Sequence, residues 1–126
     1  MATIKLTMDT LDNVLENNDI VLIDFWAEWC GPCKMFGPVF EKSSEKHTDI
    51  AFTKVDTEQD QQLAGAFGIQ SIPTLAIFRE KILIYKQPGA LPEAALEDII
   101  KQVKELDMEK IKAEVAAQKQ EAETEA

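Results

Sequence analysis

The chain has 126 residues, 45% of them hydrophobic, and sets 23 acids against 13 bases for a net charge of −10. That length suits one domain with a real core, and the charge argues against nucleic acid or an anionic membrane as partner, since neither is drawn to such a field. The longest apolar run, residues 20–27, is interrupted by Asp24 and is far too short to cross a bilayer.

The opening residues, Met-Ala-Thr-Ile-Lys-Leu-Thr, have no basic stretch leading into an apolar one, so a cytoplasmic protein is expected. Residues 3–6 read as a short edge strand. In Asp9-Thr10-Leu11-Asp12 a capping residue stands three positions ahead of an acid, and Leu11, Val14 and Leu15 keep helical spacing to about Asn17. Residues 20–27 are almost continuously branched or aromatic, the pattern of a strand buried on both faces. A bend and a helix to about Lys46 follow, with Pro38 inside the helix, where a kink is expected. Residues 51–55 read as a second central strand, and 60–67 as a helix stopped by Gly68. Residues 74–78 and 82–85 read as strands joined by Arg79-Glu80-Lys81. Pro92 suits the first turn of a helix whose apolar face is Leu96, Ile99, Ile100 and Val103. Strands separated by helices, then a hairpin and a helix, predict an α/β sheet of mixed direction in a domain spanning residues 1–106.

Residues 107–126 are different. They hold six acids against three lysines, no aromatic residue, and a thin apolar stripe of Met108, Ile111 and Val115. The expected form is a charged extension of the last helix, helical or disordered. The sharper alternative is a helix that docks a partner or a second copy of the chain.

Both cysteines of the chain stand in Trp29-Cys30-Gly31-Pro32-Cys33-Lys34. A structural zinc site needs four ligands, and two thiols with one distant histidine do not supply them, so no metal is expected. His47 itself reads as a solvated residue at a helix end. A C-x-x-C pair outside a disulfide-rich secreted scaffold points to redox chemistry. A cysteine at a helix N-terminus faces unpaired N–H groups and the positive end of the dipole, which favours thiolate and lowers the pKa of Cys30. Cys33 lies one turn on, on the same face and within disulfide reach, with Gly31 and Pro32 keeping the turn tight. Cys30 is therefore the expected attacking sulfur and Cys33 the resolving one.

Asp24 adds a second clue. An acid within a strand buried on both faces holds its proton to unusually high pH unless it is paired. Such a group could serve as acid and base for the dithiol. Lys54 in the neighbouring strand is the candidate charge partner, and an exposed strand position for Asp24 is the weaker alternative. In Ser71-Ile72-Pro73-Thr74, a proline directly before an apolar strand is a place where the peptide can be cis.

With these residues in order, the chain resembles the thioredoxins. Residues 21–34, Val-Leu-Ile-Asp-Phe-Trp-Ala-Glu-Trp-Cys-Gly-Pro-Cys-Lys, match that family's active-site segment. Pro38, Lys54, Asp56, Gly68, Ile72-Pro73-Thr74 and Gly89-Ala90 follow in the family's order. The resemblance covers about residues 3–106. It implies the thioredoxin fold, a central mixed five-stranded sheet flanked by four helices. It also implies a general protein-disulfide reductase with a redox-active Cys30–Cys33 disulfide and no bound cofactor. Its electrons would come from NADPH through a flavin-dependent thioredoxin reductase, and its partners would be that reductase and disulfide-containing clients. The Ile72–Pro73 bond would be cis and face the dithiol. Trp29, Gly31, Pro32, Ile72, Pro73, Gly89 and Ala90 would form the client groove, and Asp24 would act through water on Cys33. The Gly-Pro pair between the cysteines is the reductase version of the motif.

There are two departures. Arg79-Glu80-Lys81 replaces the usual Asn-Gly turn, and the tail lies outside the family pattern. The alternative function is a redox-regulated binding module or subunit for a dedicated partner, which would often lose a cysteine or the acid kept here. A monomer is expected, with a tail-mediated dimer as the alternative.

Overall fold

The computed structural model describes residues 2–125. Five strands, β1 (Ile4–Lys5), β2 (Ile20–Trp26), β3 (Ala51–Asp56), β4 (Thr74–Arg79) and β5 (Ile82–Pro88), form one sheet in the order β1-β3-β2-β4-β5. β3 is parallel to both β1 and β2, whereas β4 is antiparallel to β2 and β5. The sheet is therefore mixed, as the alternation of elements predicts. Helices α1 (Leu11–Asn17), α2 (Gly31–Lys46), α3 (Gln61–Ala66), α4 (Glu93–Lys104) and α5 (Met108–Glu125) complete the fold.

β2 is central because both of its faces find apolar cover. Leu22 packs with Phe36 and Phe40 of α2, Phe52 of β3, and Leu96 and Ile100 of α4. Val21, Ile23 and Phe25 point the other way, toward Leu6, Val14, Val55 and Leu63. The Phe40 ring sits 5.1 Å from Phe52 and 5.7 Å from Phe36. Each such side chain contributes roughly 1.5–3 kcal/mol by burial. α2 runs unbroken through Pro38. α3 starts where the Asp60 carboxylate accepts from Leu63 N–H, and its other oxygen accepts from Met8 N–H, both at 3.0 Å. It stops at Gly68, whose φ of 63° lies in the left-handed region that glycine enters freely.

The hairpin between β4 and β5 turns on Glu80 and Lys81, both left-handed with φ of 50° and 68°. Their side chains are held from outside the turn, Glu80 by Lys112 of α5 and Lys81 by Glu16 of α1 at 2.7 Å. Arg79 donates through Nη1 to the carbonyls of Val103, Lys104 and Leu106 at 2.8, 3.2 and 3.1 Å. These contacts end α4 and start a new helix. The tail is therefore not a continuation of the last helix. Asp107 caps α5 by accepting from Lys110 N–H at 3.2 Å, and Met108 is buried.

His47 also departs from expectation. It stands at the C-terminal cap of α2, but its Nε2 lies 2.8 Å from a carboxylate oxygen of Glu97 and its ring stacks on Phe52, so it is largely shielded.

Candidate active site

The end of β2 delivers the chain to α2 through Ala27-Glu28-Trp29, and Cys30 is the N-cap of that helix. Its sulfur accepts from the Cys33 N–H at 3.2 Å, one of the donors that a helix start leaves unpaired. Cys30 and Cys33 form a disulfide with their Cα atoms 5.2 Å apart. Both are almost fully buried, at 3% and 5% exposure, so a client reaches sulfur only across the surface formed by their neighbours.

That surface assembles from distant segments. Ile72 and Pro73 are joined by a cis peptide, and the Ile72 carbonyl oxygen lies 3.7 Å from Cys30 Sγ. A disulfide sulfur has no proton to donate, so this is a contact that places the loop against the dithiol. Gly89 N–H donates to the Pro73 carbonyl at 2.8 Å, which brings Gly89 and the adjoining Ala90 to the same end of the sheet. Trp29 is 69% exposed, and its indole N–H donates to Glu58 at 2.6 Å. Trp29, Cys30, Gly31, Pro32 and Ile72 share a cavity of about 660 Å³.

Asp24 is fully buried in the middle of β2, not at an exposed strand position. Neither carboxyl oxygen has a hydrogen-bond partner among the described residues. Burial pushes its pKa up to about 7, with the positive charge of Lys54 pulling the other way. Lys54 is the register partner of Asp24 in β3, yet its ammonium lies over the Trp26 ring, 5.1 Å from the centroid. It acts on the carboxyl through space and forms no ion pair with it. Cys33, Lys54, Trp26 and Glu41 line a second cavity of about 460 Å³.

Two features had no sequence signal. One is the buried indole N–H of Trp26, which has no hydrogen-bond partner among the described residues. The other is the wall that α3 gives the first cavity, through Gln61, Ala64 and Gly65. Among the described residues no cluster of three or more His, Cys, Asp or Glu side chains could hold a metal ion, and no helix is long and apolar enough to cross a membrane.

A family model described as Thioredoxin matches residues 2–102. The chain is 55% identical over 121 residues to a thioredoxin 2 of Streptomyces coelicolor, an alignment spanning 96% of this chain and 90% of that one. It is 37% identical over 101 residues to the thioredoxin of Bacillus subtilis, spanning 79% and 96%. Among solved structures, a mutant thioredoxin from Halobacterium salinarum superposes with a TM-score of 0.76 at 40% identity, covering 82% of this chain and 92% of that one. The Streptomyces alignment is long enough to take in most of α5.

Proposed function

Since the chain belongs to the thioredoxin family, we propose that Cys30 attacks the client, Cys33 resolves the mixed disulfide, and Asp24 handles the proton of Cys33. The reaction itself is protein-disulfide reduction by dithiol–disulfide exchange, and the redox-active group is the Cys30–Cys33 pair. The observation that supports this order of roles is the placement of Cys30 at the N-cap of α2, with the Cys33 N–H aimed at its sulfur.

In the reduced protein, that N–H and the helix dipole stabilise a thiolate on Cys30. The thiolate attacks one sulfur of the client disulfide. A new S–S bond forms to Cys30, the client bond breaks, and the departing client thiolate takes up a proton. Cys33 then gives its proton to the Asp24 carboxylate, by way of water, and attacks the Cys30 sulfur. The mixed disulfide breaks, the Cys30–Cys33 bond closes, and the client leaves as a dithiol with two electrons and two protons gained. A carboxyl with a pKa of about 7 is partly ionised at neutral pH, so it can both take and return a proton there.

Trp29, Gly31, Pro32, Ile72, Pro73, Gly89 and Ala90 form the groove over which a client backbone lies. NADPH, through a flavin-dependent thioredoxin reductase in the cytoplasm, reopens the disulfide. Residues 1–106 make up the catalytic domain, and 107–126 an addition at its far end. Reduction of insulin disulfides with NADPH and a thioredoxin reductase tests the proposal. Catalytic turnover that vanishes in Cys30→Ser supports it. A protein whose own disulfide is readily reduced by dithiothreitol, but which turns over no insulin, would instead be a binding subunit for a dedicated partner.

A further inference from the structure

Lys54 and Asp24 are register partners in β3 and β2, so their side chains leave the same face of the sheet. Neighbouring strands lie about 4.8 Å apart, and a four-carbon stem is long enough to turn back and set its ammonium against the carboxyl. The lysine does not do so. Its ammonium lies over the ring of Trp26, 5.1 Å from the centroid, and Trp26 stands two residues beyond Asp24 on that same face of β2. The ammonium is also close to α2, where a Cβ built on Gly37 would stand 3.8 Å from it, an ordinary contact. Lys54 enters none of the ion pairs among the described residues, and neither Asp24 oxygen has a hydrogen-bond partner there. Two opposite charges within reach of each other are kept apart, and the cation rests on an aromatic face instead.

We propose that Trp26 is a positioning residue for the exchange reaction: its ring holds the Lys54 ammonium off the Asp24 carboxyl, which leaves that carboxyl able to take up and give back a proton. This rests on the proton role given to Asp24 above. The indole face attracts a cation more strongly than any other aromatic side chain does. A lysine in contact with the carboxyl would instead hold it ionised through neutral pH, and a carboxylate pinned by an ammonium is a poor proton acceptor. Other charged groups border the space around Lys54. They are Lys34 and Glu41 of α2, Glu28 of the loop before it, Lys5 of β1 and Asp56 of β3. Glu41 already accepts from the Thr3 hydroxyl and Asp56 from the Glu58 N–H, each at 2.9 Å. On the other side of β2, the register partner of Asp24 in β4 is the uncharged Leu75.

The test follows the titration of Asp24 by NMR of its labelled carboxyl carbon, with Asp24→Asn assigning the signal. The full oxidised chain is used, because its disulfide-bonded cysteines do not titrate. Trp26→Leu should move the Asp24 midpoint down by about 1–2 pH units as Lys54 turns onto the carboxyl. In a Lys54→Met chain the same substitution should leave the midpoint where Lys54→Met alone puts it. Fluorotryptophan at both tryptophans keeps the shape of the ring and its N–H but weakens the negative face. It should lower the midpoint in the wild-type chain and not in Lys54→Met, and it gives the answer even where Trp26→Leu does not fold. In the reduced chain, the pH–rate profile for resolving a mixed disulfide should move to lower pH by the same shift. A fall of equal size with and without Lys54 would mean that water had reached the carboxyl, and overturns the proposal. So does a midpoint that neither change moves. A midpoint that moves as stated over a fixed rate profile supports the hold of Trp26 on Lys54 and overturns the proton role of Asp24.

Discussion

The two ends of the sheet are stabilised in opposite ways. Four buried side-chain polar atoms lack a hydrogen-bond partner among the described residues, and three of them, both Asp24 oxygens and the Trp26 indole nitrogen, belong to β2, whose C-terminal end leads to the dithiol. The fourth, Arg79 Nε, is at the hairpin end, where it still faces Asp19 at 3.7 Å. At that end the polar groups otherwise find partners: three carbonyls on Arg79, Glu80 on Lys112, and Lys81 on Glu16. One end keeps a carboxyl in a costly state within β2, the strand that leads to the reactive cysteines. The other holds two left-handed residues in place with partners from α1 and α5. Under the proposed mechanism the unsatisfied carboxyl at the first end serves the chemistry, and the ion pairs at the second hold the hairpin.

This contrast can be broken or sharpened by mutation. The largest effect is expected from Cys30→Ser, which should abolish turnover of insulin disulfides without unfolding the chain. Asp24→Asn should come next. In the folded chain the Asp24 carboxyl holds its proton to about pH 7, against an ordinary value of 3.8 when unfolded, so folding takes up a proton between those values. The stability tied to this group is complete below about pH 4, falls as pH rises through 7, and then levels off. Denaturant titration of Asp24→Asn should therefore match the wild type near pH 4 and exceed it above pH 7 by about 4 kcal/mol. The same variant should exchange disulfides more slowly near neutrality. An unchanged pH–rate profile would remove Asp24 from the proton step.

At the hairpin end, Arg79→Ala leaves the carbonyls that end α4 without their charged donor. It should cost about 2–3 kcal/mol by denaturant unfolding and leave the rate of exchange intact. A fall in rate with no loss of stability would mean that the two ends are coupled. The smallest effect is expected from Lys81→Gly. Glycine removes the penalty of a left-handed backbone, while the exposed Glu16 pair it gives up is worth little, so stability should rise by about 1 kcal/mol.

Much of the dithiol end was legible in the sequence because its signals are local. The cysteine spacing, the acid inside an apolar run and the proline before a strand each describe a few neighbouring residues. The positions of β2, β3 and α4 followed from periodicity for the same reason. What stayed hidden depends on contacts across the chain. Lys54 stands opposite Asp24 and its charge reaches the carboxyl, but through space, because its long side chain rests on Trp26. His47 found Glu97, fifty residues away, and the tail became a separate helix because Arg79 and Glu80 reach it from the hairpin.

The order of attack by the two sulfurs is tested most directly by trapping. Reduced Cys33→Ser protein, mixed with a disulfide client and analysed by mass spectrometry, should accumulate a covalent adduct on Cys30 that dithiothreitol releases. Cys30→Ser should accumulate none. An adduct on Cys33 in the Cys30→Ser protein, with Cys30 left free in the Cys33→Ser protein, would contradict the assignment and make Cys33 the attacking sulfur.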